Sequence, residues 1–309
     1  MLELAGRTAF ITGAAQGIGL GIARAFAREG VGLAITDIDQ EALDKAEAEL
    51  SALTTVAAFR LDVRDRAAFA SVADAAEARV GPVTLLVNNA GIGGPLSIAE
   101  MSYELWDLYV GINIGGVING IQTFLPRIIA RGEPGHVVNT ASAVGLAPAG
   151  GSTIYETSKT AVVGLSESLG KQLALEGHPV GVTVLCPGVV ATNLAATSRT
   201  ARDGAAPRPE ASAEERERDE RRERDETSFL RNLGMDPDAA GPMVVAAVKA
   251  GAPYAITDRS AAGQLTQRAK ALFSALPPAT ELDHKLDVFM AAQRRRMAQG
   301  PAGEAGPPR

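Results

Sequence analysis

One glycine-rich turn, Thr12-Gly13-Ala14-Ala15-Gln16-Gly17-Ile18-Gly19, constrains this chain more than any other segment. It stands between a β-rich run at 8–12 and an amphipathic run at 18–28 that places Ile22, Ala25 and Phe26 on one helical side. A strand entering a helix through such a turn opens a βαβ unit, and the alternation then continues. Runs at 32–36, 56–61, 85–87, 136–140 and 182–185 read as further strands, each separated from the next by a helical segment such as 41–50. These strands are nearly continuous in apolar character, as expected where helices cover both faces of a parallel sheet. The pattern predicts one doubly wound α/β domain.

Composition narrows the function classes. Of 309 residues, 46% are hydrophobic and 21% charged, ordinary for a globular protein, while aromatics are only 4%, so Ala, Val, Leu and Ile must build the core. A net charge of −6 gives no reason to expect nucleic acid or an anionic membrane as partner. The single cysteine, Cys186, has no internal disulfide partner and lies in an apolar run, which predicts a buried structural thiol. Three histidines make a His-based zinc site or a Ser-His-Asp hydrolase a poor reading, and no metal is expected. The chain opens without a charged-then-apolar leader and shows no run that reads as a membrane span, so a soluble, cytoplasmic protein is expected.

Two stretches break the alternation. From 197 to 230 the chain is polar and densely charged; the expectation is a mobile loop, then a solvated helix at 214–226. That helix would carry Glu214 with Arg218, Glu217 with Arg221 and Glu220 with Arg224 at i,i+4 spacing. Residues 259–298 form a helical extension whose Leu272, Phe273, Leu276, Leu282, Leu286, Val288 and Phe289 suit helices with one buried face. The two stretches are expected to roof a substrate site together, and 299–309, rich in Gly and Pro, to be disordered.

Gly13, Gly17 and Gly19 sit where a turn lets backbone approach a pyrophosphate and a helix N-terminus offers N–H donors. Asp37, at the end of the second strand, can accept hydrogen bonds from adenosine ribose hydroxyls. A 2′-phosphate there meets a like charge at about 1–4 kcal/mol for a ~4 Å separation, and Ile38 and Asp39 supply no cation, so NAD is expected over NADP. Asp62 closes the third strand and Asn88-Asn89-Ala90-Gly91 the fourth, positions suited to adenine and its surroundings. Tyr155 and Lys159 are four residues apart and project from one helical face, and a cation held there favours the phenolate. Ser142 precedes them. A nucleotide turn with such a tyrosine can move a hydride and a proton together.

These motifs in this order resemble the short-chain dehydrogenase/reductase family over about 4–258: the glycine turn, Asn88-Asn89-Ala90-Gly91, Asn113, Ser142, Tyr155-x3-Lys159 and Pro187-Gly188. The resemblance implies a Rossmann-type domain at 1–258 with a seven-stranded sheet, assembled as a homodimer or homotetramer. It implies Tyr155 as general acid/base, Lys159 on the nicotinamide ribose, Ser142 on the reacting oxygen, and Asn113 holding a water that links Lys159 to solvent. Val190 and Thr192 would hold the carboxamide beside Pro187 and Gly188. Gln16, Ile18, Val63, Ala90 and Gly91 complete the implied cofactor contacts.

The stretch from Asn113 to Gly120, with Phe124-Leu125-Pro126-Arg127, is similar to a branch that includes Cα-dehydrogenases of lignin-type aryl ethers. The expected activity is NAD-dependent interconversion of a bulky, apolar or aromatic secondary alcohol and its ketone. An NADPH-dependent ketoreductase and a non-catalytic cofactor sensor are the alternatives.

Overall fold

The computed structural model describes residues 1–206, 217, 221, 224–225, 227–230 and 232–298. Seven parallel strands form one sheet in the order β3-β2-β1-β4-β5-β6-β7. They are β1 (Thr8–Thr12), β2 (Gly32–Asp37), β3 (Val56–Arg60), β4 (Val83–Asn88), β5 (Gly135–Thr140), β6 (Val180–Cys186) and β7 (Tyr254–Ile256). Every residue of β1, β4 and β5 is buried, which is why their sequences carry no alternation.

Helices cover both faces. On one lie α1 (Gly17–Arg28), α2 (Gln40–Leu50) and, packed on α1, α9 (Pro237–Ala250); Ile22, Phe26, Leu43 and Val244 join Ile11, Leu33 and Ile35 in one core. On the other lie α3 (Arg66–Val80), α5 (Gly116–Arg131) and α7 (Thr153–Leu175). There Phe10 meets Phe124 at 4.6 Å and Phe69 at 5.7 Å between ring centres, so three of the few aromatics are concentrated in one place. Strand order reverses direction between β1 and β4, and the crevice beyond their carboxyl ends is where such sheets take ligands.

Three regions depart from the sequence expectation. First, α4 (Tyr103–Tyr109), a π-turn at Val110–Gly115 and α5 run on as one helix of 29 residues, Tyr103–Arg131, apolar and long enough by composition to cross a membrane. Its apolar window is 56% buried inside the protein, against the sheet and α7, so the expected lack of such a run does not hold but its apolarity has a packing reason. Second, 194–205 is no loop: it forms α8 (Leu194–Ala205), with α6 (Ala143–Leu146) among the other elements around the crevice. Its small residues Ala195, Ser198, Ala201 and Ala205 recur on one side and dock, while Arg199 pairs with Asp203 on the other at 3.6 Å. The charges hid a stripe of small side chains. Of the expected charged helix, Glu217, Arg221, Arg224 and Asp225 are helical and exposed; Glu214, Arg218 and Glu220 lie outside the described residues, as does 299–309.

Third, the extension forms α10 (Ala262–Ser274) and α11 (Glu281–Ala298), but not with a buried face. Leu272, Phe273, Leu276, Leu282, Leu286, Val288 and Phe289 are all exposed, and none of them reaches the crevice. The expected roof from this segment is therefore absent. The periodicity was right for amphipathic helices and silent on what they would pack against.

Candidate active site

Beyond the carboxyl ends of the strands opens a cavity of about 910 Å³, lined by the glycine turn, the ends of β2 to β6, the first turns of α7, and α8. Gly13, Gln16, Gly17, Ile18, Asp37, Asp62, Val63, Asn89, Ala90, Gly91, Ser142, Tyr155, Lys159, Pro187, Gly188, Val190 and Thr192 all line it. Gly19 and Asn113 stand behind the wall.

The glycine turn is shaped by close approach. Gly13 and Gly17 have φ of +63° and +57°, the left-handed region that suits glycine. A Cβ on Gly19 would lie 2.0 Å from the Gly13 carbonyl oxygen, so this third glycine lets α1 seat against the turn. Gln16 caps α1 in extended conformation; its side chain makes no bond to the helix but accepts from Asn193 Nδ2 at 2.9 Å, and the first-turn N–H groups are left for an anion. Thr12 Oγ1 accepts from the Asn89 and Ala90 amides at 2.9 and 3.0 Å. Asn89 Nδ2 returns donors to the Thr12 and Gly13 carbonyls at 3.1 and 3.0 Å, and Thr140 Oγ1 donates to Asn89 Oδ1 at 3.3 Å. Asn89 thus ties three strand ends together.

Asp37 accepts from the amides of Ala15 at 3.2 Å, Ile38 at 2.8 Å and Asp39 at 3.2 Å. Burial nevertheless pushes its carboxyl up from the ordinary value, the amides offsetting part of the effect. Two cations that the sequence reading passed over stand near this edge. Arg60 Nε donates to the Ile38 carbonyl at 3.1 Å, and Arg64 pairs with Asp62 at 2.6 Å, holding the Asp62 carboxyl below its usual range. The Val63 carbonyl accepts from Asn119 Nδ2 at 2.8 Å, which fixes the loop after β3 on α5.

Tyr155 and Lys159 share one face of α7, with Nζ 5.9 Å from the phenol ring centre. Lys159 is buried, its Nζ donating to the Thr140 carbonyl at 3.0 Å, and burial brings its ammonium down to about 8. Ser142 caps α6, accepting from the Val144 amide at 3.4 Å, and keeps its hydroxyl on the cavity wall.

Asn113 explains the π-turn. Its Oδ1 accepts from the Ile92 amide at 2.9 Å, while Nδ2 donates to the Ile92 carbonyl at 3.0 Å and to Ser158 Oγ at 2.9 Å. Ser158 in turn donates to the Tyr155 carbonyl at 2.7 Å. The carboxamide is thus committed to protein partners, so a water at this position would have to use the main chain of Asn113. A Cβ on Gly91 would meet Asn113 Oδ1 at 3.1 Å and Lys159 Nζ at 3.2 Å; only glycine lets the two converge there.

Beyond Pro187, residue 190 bridges Met235 in parallel, the neighbouring bonds running from Ala191 N to Met235 O at 2.9 Å and from Met235 N to Val189 O at 3.0 Å. That pattern turns the Val190 N–H the other way. Thr257 Oγ1 and Asp258 Oδ2 hold the Gly188 and Val189 amides at 2.9 and 3.2 Å. Neither residue is marked in the sequence, because the signal is a contact across 69 positions.

The sequence also gave no sign of Glu156. Its buried carboxylate accepts from three consecutive amides, Ala149 and Gly150 at 3.1 Å and Gly151 at 2.8 Å, and holds that loop over the cavity. Across the opening, Ser198 Oγ accepts from the Gly93 amide at 2.8 Å and fastens α8 to the loop after β4; Tyr109 Oη donates to the Gly93 carbonyl at 3.1 Å.

The family profile described as short chain dehydrogenase matches residues 7–203. A C alpha-dehydrogenase of Sphingobium sp. (strain NBRC 103272 / SYK-6) is 39% identical over 201 residues, 64% of this chain and 65% of that relative, so the match spans just under two thirds of the relative's length. The crystal structure of a short chain dehydrogenase/reductase from Burkholderia phymatum in complex with NAD superposes with a TM-score of 0.82 at 31% identity, covering 91% of this chain and 99% of that one. The apo form of LigD from Sphingobium sp. strain SYK-6 gives a TM-score of 0.71 at 29% identity, over 89% of this chain and 100% of the other. The chain is an oxidoreductase fold of the short-chain dehydrogenase/reductase type, and it belongs to the short chain dehydrogenase family.

Proposed function

We propose that this protein interconverts a bulky, uncharged secondary alcohol and its ketone with NAD(H). The observation that carries the reading is the division of one cavity into two halves. Beside Tyr155, Lys159 and Ser142 on one side stand the glycine turn, Asp37 and Asp62; on the other, Ile92, Pro95, Leu108, Val144, Leu194, Ala201, Ala205 and Leu230. Among the described residues, the one acidic side chain lining the second half, Glu156, is spent on backbone amides. A charged substrate would find no partner there among the described residues, whereas an apolar one gains about 25 cal/mol per Å² buried.

NAD fits the groups present: open N–H donors at the start of α1, an accepting carboxylate at the end of β2, and an outward Val190 N–H with the Thr192 hydroxyl nearby. When bound, the nicotinamide supplies the hydride acceptor in oxidation and the donor in reduction. The residues do the rest. Tyr155 takes the alcohol proton, or donates one to the carbonyl oxygen; Ser142 hydrogen-bonds that same oxygen; and Lys159 carries the charge that favours the phenolate. Asp37 opposes a 2′-phosphate, with Arg60 nearby as a partial counterweight, so NAD is favoured by a moderate factor. The narrower substrate, a benzylic alcohol, rests on the similarity to a relative named C alpha-dehydrogenase. A homodimer or homotetramer is the assembly that accompanies this reading.

The test is steady-state turnover of bulky aryl and alkyl secondary alcohols with NAD⁺ and NADP⁺ side by side. NADH formation with a higher kcat/KM than for NADP⁺ is expected, with aryl carbinols ahead of short-chain alcohols. Equal or better use of NADP⁺ would return the ketoreductase reading. Tight cofactor binding with no turnover across the panel would favour a cofactor sensor.

A further inference from the structure

Helices α10 and α11 present an apolar surface on which no described residue of the chain packs. On α10 and the turn after it, Leu272, Phe273 and Leu276 lie within one helical stripe and are 62%, 74% and 64% exposed. On α11, Leu282, Leu286 and Phe289 follow i, i+4, i+7 spacing at 62%, 49% and 58%. Taking about 200 Å² for a fully exposed large side chain, these six leave roughly 740 Å² of apolar surface open to water. Soluble monomers rarely tolerate a patch of that size without a use for it. Helices of this length also gain most of their stability from a covered apolar face.

Both helices are nonetheless held by specific bonds. Arg268 of α10 donates to the Leu146 carbonyl at the end of α6, anchoring α10 beside the cavity rim. At the start of α11, Thr280 Oγ1 and its backbone amide pair with Asp283, the reciprocal arrangement that begins a helix after Pro277 and Pro278. The surface is therefore built rather than frayed.

We propose that a second copy of this chain covers it, with α10 of one protomer lying on α11 of its partner around a two-fold axis. Area is the first argument: a stable interface of standard size buries about 800 Å² on each side, and these six residues supply most of it. Charge is the second. α10 carries Arg268 and Lys270 with no acidic residue, while 281–287 at the start of α11 carries Glu281, Asp283 and Asp287 against Lys285; the arginines of α11, 294–296, come only in its last turns, past the apolar positions 282–289. A two-fold contact sets each α10 against the partner's α11, so both pairs are attractive at once, as self-complementary surfaces require.

Sedimentation velocity and light scattering on the full chain test this. The double variant Leu272→Asp with Phe289→Asp should fall to half the wild-type mass while keeping its far-UV spectrum, melting temperature and NAD affinity. Unchanged mass would overturn the proposal, and so would a wild-type protein that is monomeric at micromolar concentration. Two charge variants supply the second arm. Gln267→Glu with Lys270→Glu makes α10 acidic; Glu281→Lys with Asp287→Lys makes the start of α11 basic. Each alone should lose the interface, and an equimolar mixture should recover the wild-type mass, because both cross-pairs become attractive again. If mixing restores nothing, the α10-on-α11 pairing is wrong. Binding of the wild type to phosphatidylserine vesicles in place of self-association would assign the face to a membrane and end the proposal. None of these outcomes depends on which alcohol is turned over.

Discussion

The two halves of the cavity are built by different means. The cofactor half is made of backbone: strand ends and turns whose glycines and amides are held by Thr12, Asn89 and Asp37. The substrate half is made of side chains from α8, the loop after β4 and the loop held by Glu156, segments far apart in sequence. Backbone-built surfaces depend on a few short motifs, so one side-chain change seldom reshapes them. A wall assembled from separate helices can be altered one side chain at a time. Chemistry and cofactor choice should therefore be separable by mutation from substrate size.

The largest expected effect tests whether the reacting group belongs to neither half alone. Tyr155→Phe should lower kcat by about 10²–10⁴-fold, the range for loss of a general acid or base, with NAD⁺ affinity by fluorescence titration unchanged. Turnover near that of the wild type would remove Tyr155 from the chemistry and dissolve the division.

Next is the charge buried at the boundary. Lys159 titrates near 8 in the fold against an ordinary 10.5, so between these values the unfolded chain binds more protons than the folded one. Stability through this group therefore rises with pH across that window and is lowest below it. Lys159→Met, which also gives up the bond to the Thr140 carbonyl, should abolish turnover yet raise the melting temperature of the cofactor-free protein at pH 7. The gain is bounded at about 3 kcal/mol by the shift itself and should shrink toward pH 10. A gap between variant and wild type that stays constant with pH would count against a buried ammonium.

Asp37→Ala confines its effect to the cofactor half: the NAD⁺/NADP⁺ ratio of kcat/KM should fall about tenfold, the factor carried by ~1.4 kcal/mol, with the ranking of alcohols untouched. A changed substrate ranking would mean that the halves are coupled. The smallest effect is expected from Ala201→Leu on α8, which should raise KM for the bulkiest alcohol by about fivefold to tenfold, at the low end of the ~1–3 kcal/mol of overpacking, and leave NAD⁺ affinity alone. An equal loss for small and large alcohols would place Ala201 in the fold rather than in the specificity wall.

The same contrast governs what could be read from the sequence. The glycine turn, Asp37, the segment 88–91 and the Tyr155–Lys159 pair are local patterns, and the structure gathers them on one cavity. Strand β7, three residues long, had no run of its own to announce it and was implied only by the family resemblance. Helix α8 was misread because Arg199, Arg202 and Asp203 dominate its composition, whereas its docking uses Ala and Ser, which carry little hydropathy. Asn113 stood out as a polar residue inside a helix, but its partners Ile92 and Ser158 lie 21 and 45 positions away. In the extension the period was legible and the partner surface was not, since periodicity reports a face and never what it touches.

Glu156 has one more consequence. It grips Ala149, Gly150 and Gly151 entirely by their main-chain N–H groups, so the hold is indifferent to the side chains at 149 and 151, while Gly150 is kept as glycine by its φ of +83°. Mutational drift there can proceed with the anchor intact, changing the contour offered to a substrate while the neighbouring Tyr155 keeps its place on α7. A library randomised at 149 and 151 should thus yield many folded proteins with altered selectivity, whereas the same randomisation at 156 should yield few. The protein carries its own site for acquiring new substrates, one residue along the chain from the group proposed to do the chemistry.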